Sequence, residues 1–190
     1  MNFKELVNKR YSCRKYRGKS IEREKIDRCL KSARLAPSAC NAQPWEFIVL
    51  DDEKKRAKVA RAATSGPYTI TKFIQKAPVL ILVLARKGSF LTRVGSFVRS
   101  TRFYLMDIGI VCQNLVLQAT EEGLGTCYVG WFNEKKTKKV LNIPKKIEIP
   151  LIISMGYPQE DYKNKDPVRK KADSENRKPL KDQVFYNKYK

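Results

Sequence analysis

Two short polar stretches carry residue types that bind anions or cofactors. Residues 10–14 (RYSCR) place two guanidinium groups and one hydroxyl, those of Arg10, Arg14 and Ser12, close together in the chain. Such donors can hold a phosphate group through charge-assisted hydrogen bonds. Residues 36–45 (APSACNAQPW) join a predicted helix to a predicted strand, where loops often contact ligands. Each stretch also has a plainer interpretation, a solvated basic turn or ordinary turn chemistry.

The composition excludes several classes of catalytic site. Histidine is absent from the 190 residues, which rules out histidine general bases, Ser/His/Asp or Cys/His triads, and zinc sites that use histidine. The five cysteines include no CxxC pair, so we expect reduced thiols, no metal site and a cytoplasmic protein. Cys29 and Cys112 lie on apolar helical stripes and are predicted to be buried. The longest apolar run, residues 78–85, is too short to span a bilayer, so we expect no membrane partner.

The elements that must position the polar stretches follow from hydrophobic periodicity and end signals. Ser20 is the predicted N-cap of a helix that Pro37 closes, and Asn133 can cap a later helix. The continuously apolar run Val79–Ala85 is typical of a central strand covered on both faces. The other predicted elements are helices over residues 3–10, 52–63, 103–122 and 133–141, and strands over residues 45–50, 125–129 and 150–155. Taken alone, this alternation predicts a parallel α/β sheet.

The character of the chain changes beyond Pro158. Residues 163–178 are rich in Lys and Arg and lack apolar periodicity, which indicates an extended polar segment. Residues 184–189 (VFYNKY) are apolar and aromatic again. We therefore expect the C-terminal end to dock on its own subunit or on a partner.

Several motifs follow one another in an order that is shared with one enzyme family. They are RxSxR over residues 10–14, APSxxNxQPW over residues 36–45, DIG at 107–109 with QNL at 113–115, GLGT at 123–126, GYP at 156–158 and RKPL at 177–180. On these motifs the chain resembles the FMN-dependent nitroreductase family over nearly its whole length. The GLG at 123–125 follows a helix, so it is no dinucleotide-binding fingerprint.

The resemblance implies a fold and an assembly. It predicts a single FMN-binding domain over residues 1–190 with an α+β fold, in which helices flank a mixed β-sheet. It also implies a homodimer, with an extended C-terminal segment that crosses to the partner subunit. For the sheet we follow the resemblance in place of the parallel arrangement that the alternation alone predicts.

The resemblance also assigns binding roles to individual residues. Arg10 and Ser12 would bind the FMN phosphate together with Arg177, and Arg14 would stabilise negative charge at the flavin pyrimidine edge. The residues expected to contact flavin from the other subunit are Pro37, Ser38, Asn41 and Gln43. Backbone amides around Gly130 and Trp131 would face flavin N5 and O4.

The activity that the resemblance implies is an FMN-dependent oxidoreductase. It would take hydride from NADH or NADPH at flavin N5 and pass electrons to a small acceptor such as a nitroaromatic or a quinone. No side chain is expected to be catalytic in itself, because the flavin supplies the redox chemistry. The alternatives are a specialised flavoenzyme of this fold, either a reductive dehalogenase or a flavin-cleaving enzyme, and a basic binding protein that retains only the scaffold.

The formal charge of +21, from 40 Lys and Arg against 19 Asp and Glu, needs its own explanation. Basic arms with interleaved aromatic residues can track a nucleic-acid backbone. The lysines are scattered over every predicted surface, however, so we expect no nucleic-acid partner. The charge fits a solvated surface, or attraction for anions such as FMN, NAD(P)H and an acidic redox carrier.

Residues 86–102 form a basic, glycine-containing stretch between a predicted strand and a predicted helix. We interpret it as a substrate lid, in which Phe90 and Phe97 could cover the flavin while Arg93 and Arg99 attract anionic substrates. A surface excursion without function is the alternative.

Overall fold

The structure is a computed structural model that describes residues 1–86, 100–159 and 177–189. In these ranges the helices are α1 (Phe3–Lys9), α2 (Arg23–Arg34), α3 (Glu53–Ala63), α4 (Phe103–Glu121) and α5 (Glu134–Leu141). The strands are β1 (Trp45–Leu50), β2 (Val79–Ala85), β3 (Gly125–Val129) and β4 (Glu148–Gly156). Short 3-10 segments occupy residues 39–41, 66–76 and 180–182. None of the helices so described has the length and apolarity needed to cross a membrane.

The helix boundaries show which end signals are effective. Asn133 caps α5, since its side chain accepts a hydrogen bond from the backbone N–H of Lys136 at 3.0 Å. The prediction of Ser20 as the cap of α2 is wrong, because the helix begins at Arg23 and Glu22 is its N-cap residue. Glu22 makes no capping hydrogen bond and instead accepts one from the hydroxyl of Tyr157. A tertiary contact at Glu22 therefore accompanies the later helix start.

The four strands form one sheet in the order β1-β2-β4-β3, and each neighbouring pair is antiparallel. The α+β class is thus confirmed, whereas the parallel α/β arrangement is wrong. The chain between β1 and β2 contains both α3 and the 66–76 segment, so it brings β2 back alongside β1 in the opposite direction. Among the described residues, the parallel pairing in this otherwise antiparallel sheet is an isolated bridge between Ser12 and Thr126.

Strand β2 separates two hydrophobic clusters. Val79, Ile81 and Val83 face the cluster that contains α2 and α4. Leu80 and Leu82 face the cluster that contains α3 and the 66–76 segment. Every residue of β2 is buried, which confirms the predicted central strand. Burial of each Val, Leu or Ile side chain contributes about 1.5–3 kcal/mol, so this strand is a major contributor to stability.

The buried cysteines behave as small apolar residues. Cys29 of α2 and Cys112 of α4 are both completely buried in the cluster that contains those helices. Burial raises the pKa of each thiol to about 12, so both stay protonated at neutral pH. The prediction that these two residues contribute packing is confirmed.

The C-terminal segment 177–189 is exposed along its length. Tyr186 and Tyr189 are 83% and 79% exposed, and the ring of Tyr189 contacts Phe185 at 5.2 Å between centroids. Docking of this end on its own subunit is therefore not observed. The crossing to a partner subunit stays a prediction, and most of the polar segment 163–178 lies outside the described residues.

Candidate functional site

The RYSCR stretch and the residues after it extend the sheet beyond β3. Ser12 forms a bridge with Thr126, and the backbone N–H of Cys13 donates to the Thr126 carbonyl at 2.8 Å. Further along, the N–H of Arg17 donates to the carbonyl of Tyr157 at 2.8 Å. We call residues 12–17 the edge segment. Its backbone is fixed at both ends, so the polar side chains near Ser12 start from a defined position.

Close packing against Gly125 of β3 also fixes the position of the edge segment. A Cβ atom at Gly125 would lie 2.7 Å from both Cβ and Sγ of Cys13, so a side chain at position 125 would push the segment away from β3. The hydroxyl of Tyr16 donates to the Cys13 carbonyl at 2.6 Å. Burial raises the pKa of Tyr16 well above its ordinary value, which keeps the hydroxyl protonated and able to donate.

Arg10 and the edge segment carry the positive charge of this region. A guanidinium nitrogen of Arg14 donates to the carbonyl of Ser12 at 3.3 Å. Burial raises the pKa of Tyr128 on β3, and the charge of Arg10 acts on this pKa in the opposite direction. Two guanidinium groups and one hydroxyl along the same strand edge suit a dianionic phosphate. The donor set therefore fits the FMN phosphate on chemical grounds.

The APSACNAQPW loop is ordered by hydrogen bonds of its own and by one from α4. The hydroxyl of Ser38 accepts from the N–H of Gln43 at 2.9 Å, and the amide of Gln43 donates to Oδ1 of Asn41 at 3.2 Å. The N–H of Ala39 donates to Oδ1 of the buried Asp107 at 3.1 Å. Pro37, Asn41 and Gln43 are exposed and Ser38 is half-buried.

The backbone of this loop adopts conformations that side chains disfavour. Cys40 and Asn41 have φ of 51° and Gln43 has φ of 45°. A left-handed residue other than glycine costs on the order of 1–3 kcal/mol and persists only where its surroundings hold it. Asp107 holds this loop through its hydrogen bond from Ala39, a role that the sequence motifs did not reveal. Asp107 is the only charged residue between Phe103 and Thr120, and a single charge in an apolar helix could have indicated such a role.

Gly130 and Trp131 lie directly after the C-terminal end of β3. Trp131 is 59% exposed, and its ring contacts that of Tyr68 at 5.1 Å with a 48° tilt. A Cβ at Gly130 would meet no atom within 4 Å, so the backbone there is open to an approaching group. Tyr68 carried no signal in the sequence, because its contact with Trp131 joins residues far apart in the chain.

The structure brings only part of the predicted site together within one chain. Ser12 pairs with Thr126 of β3, Arg10 and Arg14 lie two residues to either side of Ser12 in the chain, and Gly130 and Trp131 follow the end of β3. The loop with Pro37, Ser38, Asn41 and Gln43 precedes β1, on the opposite edge of the sheet. Three strand spacings, about 14 Å, separate those edges.

One further predicted residue, Arg177, is not brought to residues 10–14. Arg177 is exposed, and among the described residues it makes no hydrogen bond or ion pair with residues 10–14. Most of the predicted lid, residues 87–99, lies outside the described residues and stays a prediction.

Comparison with known proteins gives consistent relatives. The chain is 29% identical over 160 residues to an Archaeoglobus fulgidus protein provisionally named NADH dehydrogenase/NAD(P)H nitroreductase, covering 82% of this chain and 85% of that one. It is 26% identical over 183 residues to iodotyrosine deiodinase of Thermotoga neapolitana, covering 86% and 91%. An FMN-dependent nitroreductase structure from Clostridium difficile R20291 superposes with a TM-score of 0.69 at 30% identity, covering 97% and 98%.

The match extends to the family as a whole. The profile of the Nitroreductase family matches residues 7–157, which include β1 to β4, the edge segment and the APSACNAQPW loop. The chain belongs to the Nitroreductase family.

Proposed function

We propose that residues 1–190 form one FMN-binding domain whose activity is NAD(P)H-dependent reduction of a small acceptor. The observation that carries this proposal is the edge segment, which fixes Ser12 and Arg14 against β3 next to Arg10. This donor arrangement suits a phosphate monoester, and the family includes relatives with FMN in their names. When bound, FMN supplies the hydride and electron chemistry.

Each polar group of the site takes one role in this proposal. Arg10 and Ser12 hold the phosphate, and Arg177 joins them from the C-terminal segment. Arg14 places its positive charge at the flavin pyrimidine edge, where reduction develops negative charge. The backbone N–H groups of Gly130 and Trp131 border flavin N5 and O4.

A second copy of the chain completes the proposed site. The loop with Ser38, Asn41 and Gln43 is on the wrong edge of the sheet to reach the same flavin as Arg10, so it serves the flavin of the partner subunit. Large apolar side chains on α4 and after α2 support a homodimer, because Met106, Ile110 and Leu35 are 59%, 41% and 76% exposed. In this arrangement the C-terminal segment 177–189 crosses to the partner.

NADH or NADPH is the proposed donor, and a nitroaromatic or a quinone is the proposed acceptor. The relative from Archaeoglobus fulgidus has both NADH and NAD(P)H in its name. Donor and acceptor use one open site in turn. The five free cysteines fit a reducing compartment, and we place the protein in the cytoplasm.

Reductive dehalogenation is a second candidate activity. It is favoured by the similarity to iodotyrosine deiodinase of Thermotoga neapolitana over 86% of this chain. Both candidates need the same flavin site and differ in the acceptor. A flavin-cleaving activity stays open on the same fold.

The decisive experiment is an absorption spectrum of the purified protein with FMN, followed by anaerobic titration with NADH and NADPH. We expect a flavin spectrum that bleaches with the donor and is restored by a quinone or a nitroaromatic. Restoration by an iodinated phenol, with release of iodide, would favour the dehalogenase. A protein that binds no FMN would leave only the basic binding protein.

Variants test the phosphate assignment separately. Arg10→Ala and Arg177→Ala should each weaken FMN binding by roughly tenfold to a hundredfold, since a charge-assisted hydrogen bond contributes about 1.5–3 kcal/mol. Lys9→Ala is the matched control, because Lys9 is an exposed cation next to Arg10 in the chain. Equal FMN affinity in all three variants would contradict the assignment.

A further inference from the structure

The layer of the molecule that contains α3, the 66–76 segment and α5 is strongly basic. Residues 51–76 and 133–148 together contain thirteen Lys and Arg against five Asp and Glu. Four of these acids are already engaged. Glu134 pairs with Lys138 and Asp51 with Arg23, each at 2.6 Å, Asp52 caps α3, and Glu148 accepts a hydrogen bond from Tyr104 at 2.9 Å. Eleven of the thirteen cations are exposed, whereas Arg56 and Lys138 are half-buried.

This basic layer also exposes apolar side chains. Ile70 is 81% exposed and Trp131 is 59% exposed, and the Trp131 ring is supported from one side by Tyr68. We call these three residues the aromatic patch. An apolar centre of this kind, if surrounded by charge, has the composition of a protein-binding hot spot.

Exposed cations lie near the aromatic patch in the chain. Lys135 and Lys136, in the first turn of α5, lie four and five residues after Trp131, and Lys72 lies two residues after Ile70. The N–H of Asn133 donates to the Ala63 carbonyl at 2.7 Å, which ties the start of α5 to the end of α3. Arg61 in the last turn of α3 is exposed at the same junction.

We propose that the aromatic patch and its lysines form a docking surface for an acidic electron-carrier protein. This inference rests on the proposed function, in which Gly130 and Trp131, directly after β3, border the flavin. A carrier seated on the patch lies next to the redox centre. In balance, one NAD(P)H gives up two electrons and one proton, and two oxidised one-electron carriers take up one electron each.

The side chains favour an acidic protein over a nucleic acid. Only two of the thirteen cations are arginines, although arginine is the residue that recognises phosphates bidentately. One of these, Arg56, is directed inward, where it donates to the Pro78 carbonyl at 2.7 Å. Flexible, hydrated lysines around an apolar centre suit scattered carboxylates on a protein surface and steer its approach.

The test compares two charge reversals on the FMN-loaded protein, with an acidic [2Fe–2S] ferredoxin as the probe. Lys135→Glu/Lys136→Glu reverses the charge near the aromatic patch. Lys145→Glu/Lys146→Glu makes the same charge change at two exposed lysines that follow the C-terminal end of α5. Binding is measured by isothermal titration without turnover, at low and high salt. The activity with NAD(P)H and a neutral quinone is measured in parallel.

We expect the first variant to weaken ferredoxin binding at least tenfold at low salt and the second to weaken it less than threefold, with unchanged quinone activity in both. Ile70→Ala should weaken the ferredoxin complex several-fold. Equal weakening by both reversals would overturn the proposal. Tighter binding of duplex DNA or phosphatidylglycerol vesicles than of ferredoxin, with the same dependence on Lys135 and Lys136, would also overturn it. Absence of quinone activity in the wild type would instead contradict the proposed function, because the titration does not depend on turnover.

Discussion

Helices on the two sides of the sheet bury apolar residues against it, but their outward faces differ in charge. Helix α4 and helix α5 lie in layers on opposite sides of the buried strand β2. The 19 residues of α4 include no Lys or Arg, whereas the eight residues of α5 include four Lys. On α4 the outward side chains of Met106 and Ile110 are apolar. These outward residues are the basis of the two partners proposed above, a second copy for α4 and an acidic protein for α5.

The largest effect is expected when a charge is placed on the outward apolar side of α4. Ile110→Glu should convert the dimer to monomer and weaken FMN binding by about a hundredfold, because two symmetry-related carboxylates would be buried without partners at a cost of several kcal/mol. Analytical ultracentrifugation and FMN titration measure both effects. Lys139→Glu on α5 is the matched control and should leave the dimer intact. A dimeric Ile110→Glu protein with full FMN affinity would place the interface elsewhere.

A smaller effect is expected where α4 holds the APSACNAQPW loop. Asp107→Ala removes the acceptor of the Ala39 N–H and should lower the free energy of unfolding by about 1–3 kcal/mol. For a chain of this size each kcal/mol corresponds to roughly 2–4 °C in Tm. FMN affinity should fall too, because Ser38 and Gln43 lose their defined positions. Asp107→Asn keeps an acceptor oxygen and should lie near the wild type, so identical Tm in the Ala variant would refute the anchoring role.

The smallest expected effect is on the pKa of Glu22 at the start of α2. The hydrogen bond from the Tyr157 hydroxyl is the main cause that lowers the pKa of Glu22 to about 2, assisted by Lys19. A lowered pKa means that the contact stabilises the fold above pH 4.5 and that this stabilisation is lost as the pH falls towards 2. Tyr157→Phe should move the pKa of Glu22 up towards 4.5, as read by carbon NMR of the carboxyl group. Tyr128→Phe serves as the control, and the same Glu22 pKa in both variants would show that another group is responsible.

Local patterns in the sequence identified most of the elements, but neither the 66–76 segment nor the assembly. The strands Trp45–Leu50, Val79–Ala85 and Gly125–Val129 have the predicted bounds, and Asn133 caps α5 as predicted, because these features depend on near neighbours in the chain. Strand direction does not leave such a pattern, so the antiparallel return of β2 could not be read from it. Ser20 failed as a cap because Glu22 meets Tyr157, which lies 135 residues away.

The candidate site was predictable in its residue types and unpredictable in its geometry. The motifs identified Arg10, Ser12 and Arg14, and the structure fixes the latter two in the edge segment against β3. The left-handed backbone of the APSACNAQPW loop carries no glycine signal, since none of its ten residues is a glycine. Its conformation depends on Asp107, which contacts it from a distant helix.

The pairing of Ser12 with Thr126 has a consequence for solubility. An unpaired edge strand recruits strands from other molecules, and β3 would present such an edge with the apolar side chain of Val129 if the edge segment lifted away. At the other edge, Glu46 of β1 pairs with Arg86 at 2.7 Å, and charges of this kind discourage strand addition. Any loss of order in residues 12–17 should therefore lead to aggregation through β3, so the backbone that holds the guanidinium groups in place also keeps the protein in solution.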